Sequence, residues 1–248
     1  MSKRIKYLLL KRALRQIGRG KFSVVLYQLL RQAGFKYFVP PFPPSLMIEP
    51  ANICNLNCPT CPTGSGKLNR PPRLMQLNEF KGIVDQSRRF IENIVFWNYG
   101  EPFINPEALA MIAYAASAGI YVITSTNGEY FDSHQTAVGV VESGLDHLII
   151  CLDGADQETL SIYRKNSDFD RIIKGIKFIV ESRRKLKSKS PLIELQFIVM
   201  KQNEHQRKEV RDLANKLGVD VFSEKTAGID ANDPEFQKQA EIFLPRDL

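Results

Sequence analysis

The most informative part of the sequence is Cys54-Asn55-Leu56-Asn57-Cys58-Pro59-Thr60-Cys61, which holds three of the four cysteines at the spacing C-x3-C-x2-C. The residues just before it, Leu46-Met47-Ile48-Glu49, are typical of a strand. The residues after it are rich in proline and glycine from Pro62 to Pro72, which predicts a loop. We therefore expect the three thiols on a loop that leaves the carboxyl end of a first strand.

Three thiols at this spacing indicate a soft metal or a metal cluster. Thiolates select iron–sulfur clusters, zinc or Cu(I). A structural zinc site uses four protein ligands, often as two separated pairs; here no second pair of cysteines follows, and the three histidines are scattered. The odd number of thiols argues against a disulfide framework. Three thiolates can hold three irons of a [4Fe–4S] cube and leave the fourth iron open. The alternative is a group of loop thiols without a metal.

The composition is that of an ordinary globular domain. The chain has 248 residues, of which 44% are hydrophobic and 25% charged, and α/β barrels often reach this length as one domain. A chain of this size buries about 70–75% of its unfolded surface, so it needs no disulfides for its core. No apolar run is long enough to span a bilayer. The cysteine usage fits a reducing cytoplasm, and no specific nucleic-acid partner is predicted.

The positive charge is concentrated at the start of the sequence. Residues 1–36 carry ten of the 34 basic residues and no acidic residue, so the net charge of +7 comes from this segment. Apolar residues recur there at helical spacing, at Phe22, Val25, Leu26, Leu29 and Leu30. Such a basic amphipathic segment suits an anionic membrane surface or an acidic partner, and would make the protein peripheral to the membrane. The alternative is a helical pair that packs on the barrel with solvated charges.

Strand patterns and helix patterns alternate from residue 46 onwards. The predicted strands are residues 46–49, 93–97, 120–124, 147–152, 192–200 and 219–222. A long helical stretch is predicted to run to about Lys187 after strand four, and Asn203 is predicted to cap the helix after strand five. Strands that alternate with helices form a parallel sheet. The predicted fold is α/β, a partial (β/α)6 barrel with parallel strands and a basic helical N-terminal extension.

Two strands have one polar face, which predicts a cavity inside the barrel. Glu194 and Gln196 alternate with apolar residues on strand five, and His147, Cys151 and Asp153 do so on strand four. The apolar faces should meet the helices, so these polar side chains should point into the barrel. Satisfied buried polar groups are the alternative for His147 and Glu194, and Cys151 is interpreted as a small buried hydrophobe.

C-x3-C-x2-C after a first strand resembles the signature of the radical S-adenosylmethionine (radical SAM) enzymes. The resemblance implies a [4Fe–4S] cluster on Cys54, Cys58 and Cys61, whose open iron is chelated by S-adenosylmethionine. One electron from the cube then releases methionine and a 5′-deoxyadenosyl radical, which takes a hydrogen atom from the substrate. The implied partners are a peptide or sugar-type small molecule and an electron donor such as flavodoxin or ferredoxin.

The resemblance also implies residues that bind S-adenosylmethionine at the carboxyl ends of the strands, where α/β barrels carry their active sites. They are Gly100, Glu101, Ser125, Asn127, Asp153 and Arg164. The Gly-Glu-Pro segment at residues 100–102 would receive the amino group, although Tyr99 stands where many members have a glycine. Arg164 resembles a position that pairs with the ligand carboxylate through two parallel hydrogen bonds. No residue is assigned as a substrate acid, base or radical relay.

The predicted organisation has three parts: an extension at residues 1–40, a radical SAM core at 41–230 and a tail at 231–248. The sequence is most similar to members with a C-terminal SPASM domain, but no cysteine follows Cys151 to hold their auxiliary clusters. The tail is interpreted as the start of such a region, in a fragment or in a naturally short member. Two alternatives remain: a truncated or inactive cluster-binding partner, and a zinc-binding interaction module with a membrane-facing basic arm.

Overall fold

The structure is a computed structural model, and it describes residues 43–229 and 234–245 together with Leu26 and Leu30. Leu26 and Leu30 are helical. The rest of the basic extension predicted for residues 1–40 lies outside the described residues, as do residues 231–233 and 246–248 of the predicted tail. No helix within the described ranges combines the length and the apolar character that crossing a membrane requires.

Six parallel strands form one open sheet in which neighbours in the chain are neighbours in space. They are β1 Ser45–Met47, β2 Asn93–Val95, β3 Tyr121–Thr126, β4 His147–Cys151, β5 Leu192–Val199 and β6 Val221–Thr226. Each strand pairs in parallel with the next. The predicted partial (β/α)6 barrel is therefore confirmed. The strand bounds differ most at β6, which begins two residues later than predicted.

Helices connect the strands and cover one face of the sheet. They are α1 Leu77–Ser87, α2 Ala108–Ser117, α3 His134–Glu142, α4 Gln157–Tyr163, α5 Phe169–Lys185, α6 Arg207–Leu217 and α7 Phe236–Phe243, with 3-10 turns at Pro102–Ile104 and Glu204–Gln206. The single helical stretch predicted after strand four is wrong, because α4 and α5 are separate helices. Asn166 between them has φ of 71°, a left-handed conformation that breaks a helix, and Asp168 caps α5 by accepting from the Arg171 N–H.

The main core lies between the sheet and the helices. On β5, the side chains of Ile193, Leu195 and Phe197 are fully buried, and burying each contributes about 1.5–3 kcal/mol. The alternate residues face the inside of the barrel, where Glu194 Oε2 lies 2.8 Å from His147 Nε2. The predicted polar face of strand five is confirmed, and the Glu194 carboxylate on it is paired with His147.

A second, smaller apolar cluster closes the carboxyl ends of the strands. It joins the cysteine loop to the last helix, and its buried members are Leu56, Cys58, Tyr163, Ile198, Met200, Ala227 and Phe243. The Tyr163 and Phe243 rings meet edge to face, with centroids 5.4 Å apart. The helix α7 thus lies over the loop that carries the thiols.

Hydrogen bonds from Asn203 link the ends of β4 and β5. Its amide Nδ2 donates to the carbonyl oxygens of Asp153, at 3.0 Å, and Ile198, at 2.8 Å. Its Oδ1 accepts from the Met200 N–H. The prediction that Asn203 caps a helix is wrong, because its side chain makes no cap hydrogen bond and Gln206 holds the cap position of α6.

Candidate active site

The three thiols lie on a tightly folded loop after β1. Cys58 is buried, whereas Cys54 and Cys61 are half-buried. The Leu56 N–H donates to Cys54 Sγ at 3.4 Å. A Cβ at Gly64 would lie 2.5 Å from the Cys58 nitrogen, so the loop can fold back on itself only because residue 64 has no side chain.

Burial disfavours the free thiolate forms of Cys54 and Cys58. Burial raises the pKa of Cys58 to about 11 and also raises the pKa of Cys54. The positive charge of Arg164 opposes both shifts. Metal coordination deprotonates a thiol outright, so an iron bound here would supply the positive charge that stabilises the buried thiolates.

The donor set fits a cluster better than one metal ion. Within the described ranges, no group of three or more histidine, cysteine or carboxylate side chains meets the spacing of a single-ion site. In a [4Fe–4S] cube each thiolate binds a different iron, so its thiols need not converge on one point. Three thiolates on one loop could therefore bind three irons of such a cube.

Gly100 brings the chain after β2 against this loop. Its φ of 98° is one that side-chain residues rarely adopt. A Cβ there would lie 2.3 Å from the carbonyl oxygen of Ala51. The close approach lets the Glu101 N–H donate to the carbonyl of Ile53 at 2.9 Å. This hydrogen bond fixes the backbone from which the Glu101 side chain extends.

The carboxylate of Glu101 is buried and held by three donors. Its Oε1 accepts from the Phe103 N–H at 3.1 Å and from Thr126 Oγ1 at 2.8 Å. Its Oε2 accepts from the Asn127 N–H at 2.8 Å. Burial nevertheless raises the pKa of Glu101 to about 7, since these hydrogen bonds only partly offset the desolvation.

Asn127 links the end of β3 to the cysteine loop. Its Nδ2 donates to Asn55 Oδ1 at 2.8 Å and lies 3.8 Å from Cys54 Sγ. Its Oδ1 accepts from the Glu129 N–H. Asn127 therefore lies between Cys54 and Glu101. Its side chain approaches Cys54, and its backbone N–H donates to Glu101.

Asp153 and Arg164 form a buried ion pair behind the thiols. Arg164 Nε donates to Asp153 Oδ2 at 2.6 Å, and the Ile198 N–H donates to Oδ1 at 2.7 Å. Asp153 is fully buried and Arg164 is 9% exposed. Within the described residues, the hydrogen bond to Asp153 is the one side-chain bond of Arg164, which leaves its two terminal nitrogens available to a ligand.

Ser125 lies beside Cys151. Its Oγ lies 3.4 Å from Cys151 Sγ, on the inner faces of β3 and β4. The structure thus groups Glu101 and Asn127 beside Cys54, pairs Asp153 with Arg164, and places Ser125 beside Cys151, whose thiol lies near Arg164.

Two residues that contact this group were not predicted from the sequence. Thr126 donates to Glu101, and Asn55 accepts from Asn127. Asn55 lies inside the C-x3-C segment and Thr126 adjoins Asn127, so each lies beside a predicted residue. Their contacts depend on tertiary folding, which the local sequence does not reveal.

Comparison with known proteins assigns the fold. The family model of the radical SAM superfamily matches residues 48–214. The structure of Streptococcus suis SuiB bound to S-adenosylmethionine superposes with a TM-score of 0.65 at 20% sequence identity, over 88% of this chain and 52% of SuiB. At that identity the likeness is one of fold.

Curated relatives agree with the family match. An AdoMet-dependent heme synthase of Methanosarcina barkeri is 26% identical over 170 residues, which are 68% of this chain and 46% of that protein. The mycofactocin maturase MftC of Mycolicibacterium smegmatis is 30% identical over 134 residues, 54% of this chain and 33% of MftC. The chain spans half or less of the length of these relatives. The cofactors implied by the cysteine loop, a [4Fe–4S] cluster and S-adenosylmethionine, are those of the matched family. The chain belongs to the radical SAM superfamily of enzymes.

Proposed function

We propose that this chain is the catalytic core of an enzyme that abstracts a hydrogen atom from a peptide or small-molecule substrate. The proposal depends on one observation: three thiols, a buried carboxylate and a buried guanidinium meet at the carboxyl ends of six parallel strands. The bound cofactors would supply the 5′-deoxyadenosyl radical. The protein would hold them in place and exclude water and other hydrogen donors.

Each residue of the site has a proposed binding role. Cys54, Cys58 and Cys61 would each ligate one iron and leave the fourth iron to S-adenosylmethionine. Gly100 admits the backbone close to the ligand, and the Glu101 carboxylate would accept a hydrogen bond from the ligand's amino group.

The remaining residues would complete the site for S-adenosylmethionine. Asn127 stands beside Cys54 and would contact the amino-acid part of the ligand. The terminal nitrogens of Arg164 would bind its carboxylate, and Ser125 would contact its ribose. Asp153, whose carboxylate is occupied by Arg164 and by the Ile198 N–H, would act through Arg164.

A peptide substrate is supported by a relative. SuiB has been solved bound to the precursor peptide SuiA, with a TM-score of 0.60 to this chain. His147 and Glu194 bond each other near the amino ends of β4 and β5, away from the thiols, so no substrate contact is proposed for them. The electron would come from a carrier of the flavodoxin or ferredoxin class in the cytoplasm.

The test is spectroscopic. After anaerobic reconstitution with iron and sulfide, we expect about four irons per chain and an electron paramagnetic resonance (EPR) spectrum of the reduced cluster that changes when S-adenosylmethionine is added. A four-iron spectrum that saturating S-adenosylmethionine leaves unchanged would contradict the open iron site. Bound zinc without iron would overturn the assignment of the cysteine loop.

A cluster-binding partner without turnover is a second candidate, because the thiols, the buried carboxylate and the buried guanidinium account for binding of the two cofactors, whereas no residue is assigned as a substrate acid, base or radical relay. Such a protein would show the same spectral change on binding S-adenosylmethionine. It would release no methionine when a strong reductant is supplied. The proposed enzyme would release methionine under these conditions.

The raised pKa of Glu101 predicts pH-dependent binding of S-adenosylmethionine. Burial raises this pKa to about 7, so the carboxylate takes up a proton as the pH falls through that value and becomes a weaker acceptor for the ligand's amino group. We expect the Kd to rise by up to about tenfold per pH unit below pH 7 and to be nearly constant above it. Equilibrium dialysis of the reconstituted protein between pH 6 and 8.5 measures this. Glu101→Gln should bind weakly at every pH, and a flat profile in the parent protein would contradict the role.

We also propose that residues 1–36 bind anionic membrane surfaces, because they carry ten basic residues and no acidic residue. Co-sedimentation with phosphatidylserine vesicles should be lost when residues 1–36 are deleted, with the iron content unchanged. Equal sedimentation of the shortened protein would exclude this segment as the membrane contact.

A further inference from the structure

We propose that the buried ion pair of Arg164 and Asp153 sets the reduction potential of the cluster. Arg164 raises the potential, and Asp153 limits that rise. The inference rests on the proposed function, and it gives Asp153 a positioning and electrostatic role in place of direct contact with a ligand.

The chain on both sides of Arg164 is fastened to the cysteine loop. The hydroxyl of Tyr163 lies 2.7 Å from Thr60 Oγ1, in the segment between Cys58 and Cys61. The carbonyl of Lys165 accepts from the Asn57 N–H at 3.2 Å. Two hydrogen bonds from the residues before and after it therefore hold Arg164 against the loop.

The side chain of Arg164 places a permanent charge beside the thiols. Its guanidinium is nearly buried, and its Nε is bound to Asp153 at 2.6 Å. The hydrogen bonds of its neighbours Tyr163 and Lys165 to the loop place this charge close to the thiols, and Tyr163 belongs to the same buried cluster as Cys58. Because water is largely excluded, the charge is only weakly screened.

Opposite charges near a cluster shift its potential in opposite directions. Reduction adds one electron from the external carrier to the cluster and makes it more negative. A nearby cation stabilises the reduced state and a nearby anion destabilises it, and cluster potentials respond to such charges and to hydrogen bonds. The two side chains of the pair should therefore shift the potential in opposite directions.

An EPR-monitored redox titration of the reconstituted cluster, without S-adenosylmethionine, tests this. We expect a lower midpoint potential in Arg164→Gln, because the cation is lost. We expect a higher one in Asp153→Asn, because the cation is then uncompensated. A loss of packing alone would shift both variants in the same direction, and that result would overturn the inference.

Arg164→Lys separates the electrostatic role from ligand binding. Lysine keeps the charge but lacks the planar fork that binds a carboxylate with two hydrogen bonds. We expect a midpoint potential close to that of the parent together with about a tenfold or greater rise in the Kd for S-adenosylmethionine. A potential as low as that of Arg164→Gln would contradict the role of the charge.

A second buried pair gives a matched control. Arg183 and Asp220 are bonded to each other at the amino end of β5, the opposite end of the sheet, with side chains 12% and 4% exposed compared with 11% and 0% for Arg164 and Asp153. Arg183→Gln and Asp220→Asn should leave the potential unchanged. Equal shifts in these variants would overturn the inference.

Two outcomes distinguish this inference from the proposed function. A parent protein without a four-iron cluster contradicts the proposed function. A parent with the cluster whose potential is the same in the variants contradicts only the tuning role. If Arg164→Gln fails to retain the cluster, the nearly isosteric Asp153→Asn decides the question by the sign of its shift.

Discussion

Replacing Cys58 with alanine should leave the protein without its cluster. We expect the iron content after reconstitution to fall from about four per chain to below one, and the formation of 5′-deoxyadenosine to fall below detection. Cys58 is the most buried of the three loop thiols, and its loss leaves one iron of the cube without a protein ligand. Iron and sulfide analysis with the visible absorption spectrum measures the result.

Cys151 provides the matched control for this prediction. It is the one cysteine outside the loop and it is also buried, against Ser125 inside the barrel. Cys151→Ala should retain about four irons per chain. The interpretation of the loop as the cluster site would be wrong if Cys58→Ala kept its iron, or if both variants lost it equally.

Replacing Gly100 with alanine should abolish tight binding of S-adenosylmethionine while the cluster remains. The added Cβ would lie 2.3 Å from the carbonyl oxygen of Ala51 and 2.9 Å from that of Ile53. Both contacts are with backbone atoms, and φ is 98°, so the chain must shift and carry Glu101 with it. A misplacement of about 1 Å lowers the reaction rate at such sites by about 100-fold. Backbone strain of this kind also lowers the free energy of unfolding by about 1–3 kcal/mol.

Gly82 is the control for the effect of an added methyl group. It lies inside α1, and a Cβ there would meet nothing within 4 Å. Gly82→Ala should raise the free energy of unfolding by about 0.5–1 kcal/mol, because alanine favours a helix, with an unchanged Kd for S-adenosylmethionine. Urea denaturation and equilibrium dialysis of both variants check these values. Parent-like binding in Gly100→Ala would show that the close approach at residue 100 does not position the ligand site.

The parts of the fold that depend on local pattern could be predicted from the sequence. The alternation of strands and helices gave the six parallel strands, and the period-two pattern of β5 gave the polar inner face that carries Glu194. The C-x3-C-x2-C spacing predicted a cluster on this loop, because three thiolates within eight residues suit few other sites. Its resemblance to the radical SAM signature predicted the family, which the family match confirms.

The parts that depend on tertiary contacts could not be predicted in this way. Asn203 looked like a helix cap, because its side chain suits one, but it binds two carbonyls at the ends of β4 and β5. The break between α4 and α5 follows from the left-handed conformation of Asn166. Local propensity permits this conformation at asparagine but does not require it. The pairing of Asp153 with Arg164 joins residues eleven positions apart around a turn, and no periodic pattern encodes it.

The loop thiols are proposed to hold a cluster at which S-adenosylmethionine would be cleaved. The most direct measurement is the yield of 5′-deoxyadenosine, by mass spectrometry, from the anaerobically reconstituted protein with S-adenosylmethionine and a strong reductant. We predict that the parent protein and Cys151→Ala form the nucleoside and that Cys58→Ala forms none. A parent protein that binds four irons and S-adenosylmethionine but yields no nucleoside, or an equal yield from Cys58→Ala, would contradict the claim.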